Sequence, residues 1–257
     1  MSEQLNLLTA ADGEPVSEFN IPGKSDVLLI CEHASRRLPA KLGTLGLTAA
    51  ALEAHIAWDP GALAVAELMS AELEAALIYQ NFSRLAYDCN RPPEAEDAMP
   101  AKSEIYDIPG NTSLSPLERD ARTRAIYRPF RSVIAGRIGE RNNQRRETVL
   151  VTVHTFTPVY RGVSRDVEIG ILHDRDSRLA DQMLRLAGPD SRFRTRRNEP
   201  YGPADGVTHT LKEHGLANGL LNVMIEVRND LVQDEAGQEV VAGFLAGLIR
   251  ESLAIHA

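Results

Sequence analysis

The stretch "DVLLICEHAS", residues 26–35, sets Glu32 and His33 directly behind four apolar residues, Val27 to Ile30. A second apolar, β-branched run, Thr148–Val153, leads into His154. In open α/β sheets, ligands bind outside the carboxyl ends of the strands, so two such histidines on neighbouring parallel strands share one rim. Two imidazoles and one carboxylate oxygen make a three-ligand zinc site with a position left open for water. The competing reading is that each is an ordinary strand-end histidine. Asp59 has a competing role as well. With Pro60 behind it, it reads as a helix N-cap, and one carboxylate oxygen can take a backbone N–H while the other faces a cation.

The segment "SRLAYDCNRPP", residues 83–93, is the densest constellation of polar groups. Arginine is suited to bidentate carboxylate binding. Asn90 and Arg91 can grip a substrate carboxylate while Arg84 polarises a carbonyl; an Asp88–Arg91 salt bridge in a long loop is the structural alternative. Glu226 stands inside the apolar run of "VMIEVRND". A buried carboxylate needs a partner. Arg228, two residues on and on the same strand face, is one candidate; otherwise Glu226 is a general base whose pKa is raised by burial. His173, His209 and His214 read as solvated loop residues, and Arg192, Arg194, Arg196 and Arg197 as a solvated face.

These residues need a frame. The runs 27–31, 148–153, 167–172 and 219–227 read as strands, with a shorter one at 76–79. Helical periodicity follows Pro60 (Ala62, Val65, Ala66, Met69, Leu73), and a short helical stretch precedes it from Thr48 to about His55. Ser115 and Glu118 have capping-box spacing, with Pro129 expected to kink the helix they start. Ser177–Leu186 is helical, and an amphipathic helix follows Gly237. Strands alternating with helices predict an α/β sandwich around a mostly parallel sheet. Residues 1–257 read as a single domain with 1–25 as an extended lead-in.

A net charge of −8 disfavours nucleic acid and anionic membranes as partners. Two cysteines suit a reducing compartment. The N-terminal residues have neither a basic nor an apolar signal-peptide region, and no run approaches a membrane span. The expectation is a soluble, cytoplasmic protein. Its oligomeric state is not marked in the sequence.

The ordered motifs "CEHAS", "DPGA", "SRLAYDCNRPP", "VHTF", "RDVEIGILHD" and "IEVRND", between about Val27 and Leu231, resemble the N-formylglutamate amidohydrolase family. The resemblance implies a three-layer α/β fold with a mixed, mostly parallel central sheet, similar to zinc carboxypeptidases and aspartoacylase-type deacylases. It implies one Zn2+ (or another divalent transition metal) per chain and a small anionic N-acyl amino acid as substrate. The implied reaction is hydrolysis of N-formyl-L-glutamate to formate and L-glutamate, in histidine breakdown. His33 and His154 look like metal ligands, Asn90 and Arg91 like the carboxylate grip, Arg84 like the carbonyl-polarising group and Glu226 like the base. Carboxypeptidase-like sites carry a glutamate three residues after the first histidine, where this chain has Arg36. Asp59 is therefore the first choice of third ligand and Glu32 the second. The alternatives are a deacylase of another N-acyl amino acid and a non-catalytic carboxylate-binding protein on the same scaffold.

Overall fold

The computed structural model describes residues 6–21, 23–188 and 192–256. Seven strands form the main sheet: β1 (Val16–Phe19), β2 (Val27–Cys31), β3 (Ala76–Gln80), β4 (Val149–Phe156), β5 (Ile169–Leu172), β6 (Thr195–Arg197) and β7 (Leu221–Arg228), in the spatial order β1-β3-β2-β4-β7-β5-β6. The four central strands β3, β2, β4 and β7 run parallel, while β1 and β5 join antiparallel to their inner neighbours. The sheet is thus mixed and mostly parallel, as the resemblance implies.

Strands covered on both faces have no polar side to show, which is why β2 reads as an unbroken apolar run and the first half of β4 as a nearly continuous one. Every residue of each is buried. Residues of one parity (Val27, Leu29, Val151, Val153, Val223, Ile225) pack under α2 (Ala62–Leu73), α5 (Arg178–Ala187) and α6 (Glu235–His256). The other parity (Leu28, Ile30, Leu150, Met224) faces α4 (Arg128–Asn143) and the long segment 82–99. Helices on one side, and a helix with loops on the other, make three layers.

Other expectations meet mixed outcomes, and the short helical stretch expected from Thr48 to about His55 is α1 (Ala49–Glu53). Residues 1–5 and 22 of the lead-in lie outside the described residues, but Val16–Phe19 is an edge strand, paired from Val16↔Gln80 to Phe19↔Leu77. The Ser115–Glu118 capping box forms reciprocally at the start of α3 (Pro116–Arg122). The interruption expected at Pro129 falls one turn earlier, as a π-turn over Thr123–Tyr127. Arg196 and Arg197 belong to edge strand β6 and are exposed, in keeping with a solvated face. Among the described residues, no helix is long and apolar enough to cross a membrane.

The chain leaves β2 to build β3 on one side and returns to build β4 on the other. That makes the β2/β4 boundary the topological switch point, where open α/β sheets form their ligand crevice.

Candidate metal centre and active site

His33 and Asp59 reach this crevice from loops, and His154 from within β4. His33 lies two residues beyond β2, and its carbonyl accepts from the Asp59 backbone N–H at 2.9 Å. His154 is not at a strand end as expected; β4 continues to Phe156. Asp59 does not cap a helix with its side chain. Helix α2 begins at Ala62 behind Gly61, whose φ of +83° provides the turn and whose conformation a side chain would disfavour. Freed from capping, Asp59 points its carboxylate into the crevice, where Oδ2 also accepts from the Thr155 backbone N–H at 3.3 Å.

Three ligand atoms converge there. His33 Nδ1 lies 3.1 Å from Asp59 Oδ2, His154 Nδ1 lies 3.0 Å from the same oxygen, and the two nitrogens are 3.2 Å apart. A tetrahedral zinc ion with bonds of about 2.0–2.1 Å separates its ligand atoms by roughly 3.3 Å. The observed triangle matches this within a few tenths of an ångström. The donor set, two imidazoles and one carboxylate, is that of a three-ligand site with a fourth position open. His33, Asp59 and His154 form a buried group able to bind a metal ion.

The outer contacts aim these ligands. His33 Nε2 is 2.7 Å from Asp88 Oδ1, so a proton held on Nε2 leaves the Nδ1 lone pair directed at the centre. Asp88 is itself fixed by Arg84 Nη2 at 2.8 Å and by the Asn90 backbone N–H at 2.9 Å. Glu32, the second choice as third ligand, lies behind His154. Its Oε2 is 3.1 Å from His154 Nε2, on the ring edge away from the cluster. That contact is bent away from hydrogen-bond alignment, so it acts mainly through charge. The β2–β4 register explains the position: Ile30 pairs with Thr152, and two residues further on, Glu32 is level with His154.

Glu226 pairs in register with His154 on β7 and is 4% exposed. Burial pushes its carboxyl up to about 7, against the pull of His154, His33 and Arg84. Its Oε2 has no hydrogen-bond partner among the described residues. Arg228 does not pair with it. That guanidinium turns to Asp230 at 2.8 Å and Glu168 at 3.5 Å. On the other flank Glu226 faces Gly170, where a Cβ would stand 1.9 Å from the Glu199 carbonyl oxygen. Glycine there lets segment 199–201 cross the sheet and bring Tyr201 beside Glu226.

Arg84 is held by both carboxylates, with Nη1 3.2 Å from Asp59 Oδ1 and Nη2 on Asp88. Burial disfavours its charge, but Asp88 and Asp59 outweigh burial and keep it cationic. Asn90 donates to the Val207 carbonyl at 2.5 Å and accepts from the Thr210 N–H at 3.0 Å, which pins segment 207–210. Arg91 pairs with Asp97 at 2.7 Å, so the anticipated Asp88–Arg91 bridge does not form. Metal group, Glu226, Arg84, Asn90 and Arg91 all border one cavity of about 350 Å³. The sequence marks Asp88 only as a bridge partner, and nothing in it marks Tyr201. Two of the three histidines read as solvated differ from expectation: His214 is buried and His209 meets the Tyr127 hydroxyl at 2.8 Å, while His173 is half-buried and meets the exposed Arg197 at 2.9 Å.

The family model for N-formylglutamate amidohydrolase matches residues 25–233. Among solved structures, the chain is similar to gene product Atu2144 from Agrobacterium tumefaciens, with 58% identity, a TM-score of 0.95, and 97% of this chain and 98% of that one covered. It also overlays N-formylglutamate amidohydrolase from Ralstonia eutropha JMP134, with 18% identity, a TM-score of 0.63, and coverage of 94% and 98%. Identity that low speaks for the fold alone. No curated protein gives a significant match. With a family match spanning every motif from the first histidine to the Glu226 strand, the chain belongs to the N-formylglutamate amidohydrolase family, hydrolases acting on an amide C–N bond.

Proposed function

We propose that the protein is a cytoplasmic, zinc-dependent deacylase that converts N-formyl-L-glutamate and water to formate and L-glutamate. The observation that carries this reading is the triangle of His33 Nδ1, His154 Nδ1 and Asp59 Oδ2, with Glu226 in register beside it on the same cavity. One Zn2+ per chain, held by those three residues, supplies a Lewis acid that polarises the amide carbonyl and acidifies water.

The chain's own groups account for the rest. Glu226, with its pKa near neutrality and one oxygen unpartnered, takes the proton of the attacking water and returns it to the leaving nitrogen. Arg84, clamped by two carboxylates and 27% exposed toward the cavity, holds fixed positive charge for the developing oxyanion. Arg91 and the second amide hydrogen of Asn90 hold the α-carboxylate and so orient the acyl group. A formyl group needs little space, so selectivity rests with the amino-acid end.

The test is formate release from N-formyl-L-glutamate by protein of verified zinc content. A panel of N-acetyl and N-formyl amino acids sets the acyl preference. Absence of formate with zinc bound refutes this substrate, and absence of hydrolysis across the panel refutes the deacylase reading.

A further inference from the structure

Three arginines stand at or against the cavity, and only two are accounted for. Arg84 spends both terminal nitrogens on Asp59 and Asp88. Arg91 spends Nε on Asp97 and Nη1 on the carbonyls of Asn90 and Gly206. Arg165 is different. Its guanidinium stacks over Tyr160 at 4.6 Å, Tyr201 at 4.8 Å and Phe156 at 5.5 Å, and all three rings are walls of the cavity. Its one hydrogen bond to backbone is a long one, to the Thr157 carbonyl at 3.3 Å. Among the described residues it has no carboxylate partner, although the chain carries 36 acidic against 28 basic residues.

Its backbone is fixed at both groups. The Arg165 N–H donates to the Pro158 carbonyl at 2.8 Å, and its carbonyl accepts from Arg228 Nη1 at 3.2 Å. A guanidinium stacked on ring faces keeps in-plane N–H donors for a planar anion, and a pre-ordered one loses little entropy on binding. The Tyr201 phenol, which interacts with both Glu226 and Arg165, connects the proposed base with this end of the cavity.

We propose that Arg165 is a specificity-determining residue that receives the side-chain carboxylate of the substrate, at the cavity end walled by Tyr160 and Tyr201. The inference rests on the deacylase reading and deepens it. It separates the two carboxylates of the proposed substrate, the α-carboxylate at Arg91 and the side-chain carboxylate at Arg165.

The experiment compares N-formyl-L-glutamate with its neutral isostere N-formyl-L-glutamine, using zinc-loaded wild type, Arg165→Gln and Arg165→Lys. Binding of glutarate and of glutaramate is measured in parallel by calorimetry. A charge-assisted contact predicts that Arg165→Gln lowers kcat/KM for the glutamate substrate by about 10- to 150-fold. The glutamine substrate should change less than about threefold, and glutarate should lose its advantage over glutaramate. Arg165→Lys, which keeps the charge, should retain part of the preference and serves as the deciding variant if Arg165→Gln does not fold. A wild type indifferent to the distal carboxylate, or a folded variant that harms both substrates equally, overturns the inference. If zinc-loaded wild type hydrolyses neither substrate, N-formyl-L-glutamate falls as the substrate, and the ratio of glutarate to glutaramate affinity still decides the role of Arg165.

Discussion

Zinc uptake by the metal-free protein should release protons, and the amount follows from the cluster. Without an ion, the two Nδ1 atoms lie 3.2 Å apart and share Asp59 Oδ2. Burial pushes both imidazoles toward the neutral form. Glu32 and Asp59 outweigh burial at His154, and Asp88 and Asp59 outweigh burial and Arg84 at His33, so both pKa values rise above the ordinary imidazole value. A metal needs the Nδ1 lone pairs and must expel the protons that occupy them. The expected release at pH 7 is about one to two protons per zinc, and the apparent association constant then rises about 10- to 100-fold per pH unit. The same linkage fixes the sign for stability. Folded values above the unfolded ones stabilise the metal-free chain fully below about pH 6.5, and this contribution is lost as pH climbs through the folded values. The zinc-loaded protein, with no protons on Nδ1, should show no such loss. Calorimetric titration in two buffers of different ionisation enthalpy gives the proton count, and melting curves against pH give the second quantity. Zero release at pH 7, or a release unchanged in His154→Ala, would refute the account.

Other consequences can be checked independently. Glu226→Gln should keep zinc stoichiometry while losing about 100- to 10,000-fold in kcat; retention of full activity removes Glu226 as the base. In the wild type, kcat/KM should fall with acid as Glu226 takes up a proton, with the limb at or below about pH 7 because a bound cation draws the value down; a limb well above neutrality contradicts this. Asp88→Ala, which strips the partner from His33 Nε2, should weaken zinc affinity by about 10- to 100-fold in a chelator competition. Gly170→Ala forces a methyl to within 1.9 Å of the Glu199 carbonyl oxygen, so thermal unfolding should register a loss of about 1–3 kcal/mol, with activity falling as Tyr201 shifts.

Much of the frame was legible because burial on both faces writes itself as nearly continuous apolar runs, as in Val27–Cys31 and Val149–Val153. The edge strands were not. "VSEF" and "TRR" each have a free edge and exposed residues, so no continuous apolar run marks them. Asp59 is legible as a third ligand, but aspartate before proline also suits a cap; helix α2 starts behind Gly61 at positive φ instead, and a backbone angle is not visible in residue order. Strand periodicity makes Arg228 one candidate partner for Glu226, but periodicity fixes direction and not reach at a strand end, where Asp230 and Glu168 compete. Tyr201 and Asp88 were missed for a common reason. Their roles depend on loops brought across the sheet, and the contacts are as long-range as Asp88 to His33, 55 residues apart.

The charge arrangement explains how this centre can be built before a metal arrives. Among the described residues, four buried carboxylates, Glu32, Asp59, Asp88 and Glu226, meet Arg84 as the permanent cation paired with them, with Arg91 acting on Asp88 from further off. Such an imbalance is untenable in a low-dielectric interior unless protons or a metal ion make up the difference. Protons on His33 and His154 answer Asp59, Asp88 and Glu32, and burial raises Glu226 to about 7, which removes part of its charge at neutral pH. A divalent cation substitutes two charges for two protons at the same three atoms, so the fold need not rearrange to accept it. Small zinc domains, by contrast, are unfolded without their ion. Here the sheet supplies the stability and the carboxylates hold the ligands in place, so removing the metal should abolish hydrolysis while leaving the structure intact.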